Sequence, residues 1–365
     1  MQNDKTHTWY IIANPAAGRN AVARRWTVLQ FFLQEHLPNH ILIQTERRGQ
    51  ATELAAAAIQ AGYRKIIAVG GDGTNHEVVN GILQQTHIPT TDITYALLPV
   101  GTGNDWIRTH NISKNWKEWI AMIQAENTLL QDIGVIKYFE NGQPMQRFFV
   151  NVAGMAYDAF VVRYAEAHKR WVIHKMLYLL MVVRCLFKYR LTKARITFDN
   201  QVVEDYFYTI NAGICKYSGG GMRLVPHADA TDGLLALTIA KQVSKLSVLL
   251  NTYRFYNGTL GKHPQIDLYQ TTAIRIESLE KSQPLWVEAD GEFLGDAPVE
   301  ISTLPKALKI IIPKGAQVKE RPRDERKIKS AKSAGDKKIL PKKVTCRPFL
   351  RINSIGIAIV RINLN

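Results

Sequence analysis

The stretch VGGDGTNHEVVNG at residues 69–81 places Gly70, Gly71, Asp72 and Gly73 where a strand ends and a helix begins. Glycines at such a junction let a ligand approach the backbone, and the helix N-terminus offers free N–H groups to an anion. Because the Asp72 carboxylate would repel a bare anion, it favours a phosphate bound through a cation such as Mg²⁺. For this turn alone, simple helix capping by Asp72 is an open alternative.

Two similar turns, NPAAGRN at 14–20 and PVGTGND at 99–105, also follow strand-like runs. Neither GxGxxG nor GxxxxGK[ST] occurs, so the turns are not the usual dinucleotide or P-loop fingerprints. Strand-like runs alternate with helical patterns through the first third of the chain, which predicts a doubly wound parallel α/β sheet. Ligands bind outside the carboxyl ends of such strands, so the three turns are expected to form one phosphate-binding rim. The strand-like runs lie at 9–15, 40–45, 65–73 and 93–105, and the helical ones at 21–37, 51–63 and 77–85.

The composition sets the class of the protein. A chain of 365 residues predicts two domains with ample cores. Its charge of +16 is uneven, because residues 319–365 hold 14 Lys/Arg against 4 Asp/Glu and the rest holds 33 against 27. The excess is therefore mostly in a tail, which argues against a nucleic-acid partner. Three scattered cysteines and no signal peptide or membrane-spanning run predict a cytoplasmic protein.

The pattern changes near residue 131, where β-rich sequence replaces the α/β alternation. Residues 132–155 read as two strands joined at Asn141-Gly142, and further strand-like runs follow to residue 313. We therefore predict a nucleotide-binding α/β domain at 1–131 and a mostly β, sandwich-like substrate domain at 132–315. A helical insertion at 160–193 would interrupt the second domain, and a basic, largely disordered tail would occupy 316–365.

The combination of GGDGT, EVVNG at 77–81 and PVGTGND resembles the diacylglycerol kinase catalytic-domain family, over about residues 9–313. This family of lipid kinases includes bacterial diacylglycerol kinases and eukaryotic sphingosine and ceramide kinases. The resemblance implies ATP and Mg²⁺ as cofactors, and Asp72, Asp105 and Asp132 as active-site aspartates that help to hold Mg²⁺. The implied ATP-binding residues are Asn14, Pro15, Ala16, Ala17, Gly18, Thr45, Gly70, Gly71, Asp72, Gly73, Thr74, Asn75, His76 and Thr102.

The pair Asn75-His76 departs from the Leu-Asn that is common in the family, and the sphingosine kinase branch is similar in having His there. This departure leaves the choice of lipid open. We interpret His76 as a polar residue that faces solvent at a helix start, rather than as a catalytic histidine.

The sequence WVEADGEFLGDAP at 286–298 contains an Asp-Gly-Glu turn. Transfer of phosphate to an alcohol needs a group that orients the hydroxyl and accepts its proton. An ordinary hairpin turn is the alternative, but by the resemblance Glu292 is the general base and Asp290 accompanies it. The resemblance also implies a structural Mg²⁺ site in LVPHADATDGLLALTI at 224–239, held by Asp229, Asp232 and the Leu234 carbonyl.

Residues 163–193 carry eight Lys/Arg and one acid, interleaved with Trp171, Met176, Leu179 and other apolar residues. Such a basic amphipathic stretch is typical of helices that lie on anionic membranes, although it could instead pack on its own domain. We therefore predict an ATP-dependent lipid kinase, for an acceptor such as diacylglycerol, bound peripherally to the inner membrane face. The alternatives are an NAD kinase, a sphingosine, ceramide or phosphatidylglycerol kinase, and a membrane-associated nucleotide-binding regulator without catalysis. A homodimer is an open alternative to a monomer.

Overall fold

The computed structural model describes residues 4–101, 103–168, 175–280, 283–316 and 328–330, with backbone only for 175, 176, 178, 179 and 328–330. The helices are α1 (Ala17–Arg24), α2 (Trp26–His36), α3 (Gln50–Gln60), α4 (Asp72–Gln84), α5 (Asp105–Thr109), α6 (Trp116–Ala125), α7 (Tyr157–Ala167), α8 (Lys175–Lys188), α9 (Lys245–Leu250) and α10 (Tyr253–Asn257). The strands are β1 (Trp9–Ala13), β2 (His40–Gln44), β3 (Lys65–Gly70), β4 (Thr94–Pro99), β5 (Thr128–Glu140), β6 (Gln143–Phe149), β7 (Val152–Ala156), β8 (Thr192–Phe198), β9 (Gln201–Phe207), β10 (Thr209–Gly213), β11 (Leu235–Ala240), β12 (Ile266–Thr271), β13 (Ala273–Ser278), β14 (Trp286–Ala289), β15 (Glu292–Asp296), β16 (Val299–Ile311) and β17 (Ile328–Ser330).

The N-terminal part is a parallel sheet in the order β2-β1-β3-β4. The run KIIAV of β3 is apolar after its lysine, and its residues from Ile66 onward are buried. Strands with both faces covered read as such continuous apolar runs. The register pairs Ala13 with Val69 and Gly70 with Pro99, so β1, β3 and β4 end at one edge of the sheet. This arrangement confirms the predicted parallel sheet.

Strand β16 joins the two parts of the molecule. It pairs along most of its length with β5, and residues Lys309 and Ile310 also pair in parallel with β4. Strands β13, β8 and β9 continue the sheet on the far side of β16. The parallel sheet is therefore continuous with one sheet of the C-terminal part.

A second sheet, in the order β15-β14-β7-β10-β11-β12-β17, completes the C-terminal β-rich part. Its strands are antiparallel except for the β12–β17 pair. The rings of Phe198 in β8 and Tyr269 in β12 lie 4.9 Å apart, so side chains of the two sheets meet in the core. The turn between β5 and β6 is Asn141-Gly142, both with positive φ, as the sequence predicts.

The predicted helical insertion forms α7 and α8. On α8, Met181, Cys185 and Leu186 are buried, whereas Leu180 and Phe187 are exposed. The helix therefore packs on its own domain with one face and presents the other outward. The predicted membrane residue Trp171 and the side chains of Met176 and Leu179 lie outside the described residues. Within the described chain, no helix is long and apolar enough to cross a membrane.

Candidate active site

The three glycine turns meet at the carboxyl edge of the parallel sheet. The Asn14 side chain donates to Thr74 Oγ1 at 3.1 Å, which joins the first turn to the second. The backbone N–H of Val100 donates to the Gly70 carbonyl at 2.8 Å, which joins the second to the third. A Cβ on Gly18 would collide with the Val100 carbonyl oxygen, so the first and third turns are also in contact. The three turns therefore form one rim.

Gly101 and Gly73 of the rim differ in the space that surrounds them. A Cβ on Gly101 would collide with the Cα of Gly71 and lie 2.6 Å from Asn104 Oδ1, so packing of the protein itself requires glycine. A Cβ on Gly73 would meet nothing within 4 Å. Gly73 is exposed, so the first turn of α4 leaves space in which a ligand could approach the backbone.

We expect Gly73→Ala to keep the melting temperature of the wild type, because alanine fits the space and favours the helix. We expect its ATP dissociation constant to rise at least about tenfold, since the methyl group would stand where phosphate approaches. Gly101→Ala is the matched variant, and we expect it to unfold at a lower temperature. Thermal unfolding and ATP titration of both variants measure this, and wild-type ATP affinity in Gly73→Ala would contradict it.

Asp72 and Asp105 lie together at the rim. Asp72 Oδ1 accepts the backbone N–H of Asp105 at 2.8 Å, and a Cβ on Gly103 would lie 2.8 Å from Asp72 Oδ2. Burial, and then the charge of Asp105, raise the pKa of Asp72 to about 6. Burial also raises the pKa of Asp105. Two partly desolvated carboxylates in contact are stabilised when a cation lies between them.

The oxygens of Asp105 indicate where such a cation could bind. Oδ2 accepts the backbone N–H of Gly220 at 2.7 Å. Oδ1 is buried and accepts no hydrogen bond from the described residues, with Arg108 Nε 3.6 Å away. A buried carboxylate oxygen that accepts no hydrogen bond fits a metal ligand. Gly220 itself belongs to the glycine run 219–221, all with positive φ, and its contact with Asp105 was not predicted from sequence.

The Asp-Gly-Glu turn contacts the N-terminal α/β domain, although the two lie more than two hundred residues apart in sequence. Asp290 is held by backbone N–H groups, at 2.9 Å from Val150 and 2.9 Å from Asn151. His76 Nδ1 lies 3.2 Å from Asp290 Oδ2, and both side chains are almost fully buried. His76 therefore joins the first turn of α4 to the Asp-Gly-Glu turn. The expectation that His76 faces solvent is wrong, because a charged partner from the second domain covers it.

Glu292 is the partly exposed member of the turn. Its side chain is about one-fifth exposed and lies 3.4 Å from Arg48 Nη2. Arg48 also pairs with Glu166 of α7 at 3.3 Å. Asp290, by contrast, is saturated with hydrogen bonds and positions the turn. Arg48 was not predicted as a site residue, although it follows Thr45 after the second strand.

Glu288 also contacts the turn, and it was not predicted as a site residue from the sequence. Its Oε2 accepts the backbone N–H of Gly291 at 2.7 Å, which fixes the turn from within. Burial, with the charges of Asp158 and Asp290 also contributing, raises the pKa of Glu288. A Cβ on Gly154 would touch both Glu288 and Asp158, so these two acids are neighbours. Glu288 lies two residues before Asp290 in an otherwise apolar strand. An acid in such a strand is the sequence feature that could have identified it as a site residue.

Asp132 lies with the acidic turn at 229–234. Its carboxylate accepts the backbone N–H of Gly233 at 2.6 Å and that of Lys306 at 2.7 Å, and it is fully buried. These bonds hold the turn against β16. The active-site role that the resemblance implies for Asp132 stays a prediction.

Within the turn, Asp229 Oδ1 accepts the Thr231 hydroxyl at 2.7 Å, and Asp232 Oδ1 accepts the Leu234 N–H at 2.9 Å. Burial, and then Asp229 and Asp132, raise the pKa of Asp232 to about 6. Across the parts of the chain that the structure describes, no three or more His, Cys, Asp or Glu side chains form a metal-binding group. A magnesium site here therefore stays a prediction, resting on two carboxylates and a carbonyl.

The remaining residues predicted to bind ATP do not all lie at the rim. Thr45 follows β2, and its N–H donates to the Ala13 carbonyl at 2.9 Å, which puts it at the rim beside Pro15, Ala16 and Ala17. Asn75 is fully buried, and its side-chain oxygen accepts the Tyr95 hydroxyl at 2.6 Å. Its predicted contact with ATP stays a prediction. Thr102 lies outside the described residues.

Family models match both parts of the chain. Residues 8–137 match the diacylglycerol kinase catalytic domain, and residues 151–312 match the YegS C-terminal NAD kinase beta sandwich-like domain. A diacylglycerol kinase of Mycobacterium tuberculosis (strain ATCC 25618 / H37Rv) is 31% identical over 267 residues, which cover 72% of this chain and 82% of that protein. A diacylglycerol kinase of Staphylococcus haemolyticus (strain JCSC1435) is 27% identical over 315 residues, covering 86% and 91%.

Solved structures are similar along most of the chain. A diacylglycerol kinase from Bacillus anthracis str. Sterne has a TM-score of 0.62 at 24% identity and covers 85% of this chain and 98% of its own. Another structure from that organism has a TM-score of 0.66 at 25% identity, covering 85% and 99%. These likenesses confirm the predicted fold, an α/β N-terminal domain with a parallel sheet followed by a β-rich domain.

Proposed function

Because the chain belongs to the diacylglycerol kinase catalytic-domain family, we propose that it is an ATP-dependent lipid kinase that phosphorylates a hydroxyl of a membrane lipid such as diacylglycerol. The observation that carries the proposal is the contact of His76 with Asp290 at 3.2 Å. It brings a carboxylate-bearing turn to a rim of glycine turns, and phosphoryl transfer needs a phosphate site beside a group that activates the alcohol.

The rim supplies the phosphate site. The exposed Gly73 and the N-terminus of α4 offer N–H groups to phosphate oxygens, and the macrodipole of the helix adds a favourable field. Asn14 and Thr74 hold the first two turns in register, so these donors are fixed before the ligand arrives. A preorganised site loses less entropy when it binds the nucleotide.

Asp72 and Asp105 would hold Mg²⁺, and Asp105 Oδ1, which accepts no hydrogen bond from the described residues, is the atom that fits this role. When bound, Mg²⁺ neutralises charge on the phosphates of the nucleotide. The backbone contacts of Asp72 with Asp105 and of Asp105 with Gly220 fix the two carboxylates in orientation. Asp229, Asp232 and the Leu234 carbonyl would hold a second, structural cation.

Glu292 would accept the proton of the acceptor hydroxyl. It lies on a turn that hydrogen bonds hold at two points. Glu288 accepts the N–H of Gly291, and Asp290 accepts the N–H groups of Asn151 and Val152. Its side chain is partly exposed, which lets a substrate reach it. Arg48, at 3.4 Å, would orient the carboxylate.

A small, mostly apolar cavity lies against β10, α9 and α10. Its lining includes Thr209 of β10, Val248 of α9 and Phe255 of α10. The Thr209 hydroxyl donates to Asp158, the neighbour of Glu288, so the cavity and the Asp-Gly-Glu turn share one network.

The test is phosphate transfer from labelled ATP with Mg²⁺ to a panel of diacylglycerol, phosphatidylglycerol, sphingosine, ceramide and NAD. We expect transfer to a lipid, with diacylglycerol the best acceptor. Transfer to NAD alone would identify an NAD kinase and overturn the proposal. No transfer to any acceptor, with ATP still bound, would favour a nucleotide-binding regulator.

A further inference from the structure

Helices α8, α9 and α10 present a group of large apolar side chains to solvent. The group consists of Leu180, Phe187, Leu246, Leu250, Tyr253 and Tyr256, each more than half exposed. The Lys245 ammonium donates to the Phe187 carbonyl at 2.7 Å, which fixes the start of α9 against the end of α8. The six side chains, here called the apolar face, therefore lie on elements joined to one another.

The chain segments that form the apolar face carry charge of one sign. No Asp or Glu occurs in residues 167–198 or 233–266, the two segments that contain these helices. Arg184, Lys188 and Lys245 are exposed beside the apolar side chains. Helices with exposed leucine and aromatic side chains, basic neighbours and no acid of their own are complementary to a bilayer that contains anionic lipid.

The same helices cover the cavity. Val248 and Phe255 line it from α9 and α10, whereas Leu246, Leu250 and Tyr253 point outward. We propose that the apolar face is the surface by which this protein docks on an anionic bilayer, with α9 and α10 lying in the interface. The choice of a bilayer as the occupant rests on the proposed lipid acceptor. This surface adds α9 and α10 to the segment 163–193 that the sequence predicts.

Vesicle flotation tests the docking surface directly. The full chain is mixed with vesicles of phosphatidylcholine and phosphatidylglycerol, or of phosphatidylcholine alone. We expect binding to the anionic vesicles, weakened by salt, and at least about tenfold weaker binding by the double variant Leu246→Glu, Leu250→Glu. The matched control is Val28→Glu, Phe31→Glu, which puts the same charges on exposed apolar positions of α2. Equal binding by both double variants would overturn the proposal.

A second measurement separates docking from catalysis. With a short-chain diacylglycerol below its micelle-forming concentration, we expect the Leu246→Glu, Leu250→Glu variant to match the wild type. With diacylglycerol in anionic vesicles, we expect its rate to fall as its binding falls. If the wild type phosphorylates neither substrate, the proposed function fails while flotation still decides the docking surface. If the variant instead changes a dimer to a monomer without altering flotation, a second copy covers the face and the proposal is wrong.

Discussion

Glu292→Gln is expected to lower the rate of phosphate transfer by about 10²- to 10⁴-fold, the range typical for loss of a general base. The amide has the same shape but cannot accept the hydroxyl proton. Nucleotide binding should remain, because the rim is built from residues 14–18, 70–74 and 99–105, none of which Glu292 contacts. Initial rates with a lipid acceptor and ATP titration by calorimetry measure the two effects separately.

Glu166→Gln is the control for this variant. Glu166 pairs with Arg48 at 3.3 Å, slightly closer than Glu292 at 3.4 Å, but it lies on α7. If Glu292 only holds Arg48, both variants should lose activity to a similar extent. We expect Glu166→Gln to keep most of the wild-type rate, and wild-type turnover in Glu292→Gln would remove Glu292 from catalysis.

Asp72→Asn should have opposite effects on activity and stability. We expect transfer to fall by about 10²-fold or more, because one carboxylate of the proposed Mg²⁺ site is lost. We expect the metal-free protein to be more stable at pH 7.5, by about 2 kcal/mol, since the substitution removes a partly buried charge beside Asp105. Asn Oδ1 can still accept the backbone N–H of Asp105, so the turn keeps its hydrogen bond.

The sign of this effect follows from the pKa of Asp72, which burial and the Asp105 charge raise to about 6 from the ordinary 3.8. A group whose pKa is higher in the folded protein binds its proton more tightly there, so its stabilising contribution is complete below pH 4. That contribution is lost as the pH rises through 6. The stability advantage of Asp72→Asn should therefore be absent at pH 4 and present at pH 7.5.

Thermal unfolding at the two pH values, in EDTA and with excess Mg²⁺, measures this difference. Mg²⁺ should stabilise the wild type at pH 7.5 and should have little effect on Asp72→Asn. An Asp72→Asn protein that unfolds at a lower temperature than the wild type at pH 7.5 in EDTA would show that Asp72 is not under electrostatic strain.

The α/β part could be predicted from sequence because its rules are local. Apolar runs such as 65–70 and helical spacing such as 51–60 specify strands and helices, and alternation specifies a parallel sheet. The carboxyl ends of parallel strands share one edge, so Asp72 and the rim followed from the order of elements. The continuous sheet through β16 could not be foreseen, because pairing of Lys309 with Thr94 joins residues far apart in the chain.

The burial and the partners of individual side chains could not be predicted from the sequence. His76 and Asn75 are polar residues at a helix start, where solvent exposure is the ordinary expectation. Both are buried, because Asp290 and Tyr95 approach from distant segments. Asp132 likewise matches a family aspartate, yet its hydrogen bonds go to Gly233 and Lys306. Burial and partners depend on long-range packing, which no local pattern encodes.

By itself, the sequence determined the fold class and predicted the rim of glycine turns, because glycines and apolar periodicity act through neighbouring residues. The candidate base came from the resemblance to the family. Only the tertiary structure decided which carboxylates meet. It joined Asp72 to Asp105, closed the Asp-Gly-Glu turn against His76, and exposed the apolar face on α8, α9 and α10. The physical reason is that desolvation and charge pairing depend on distance in space, and the folded backbone alone sets that distance.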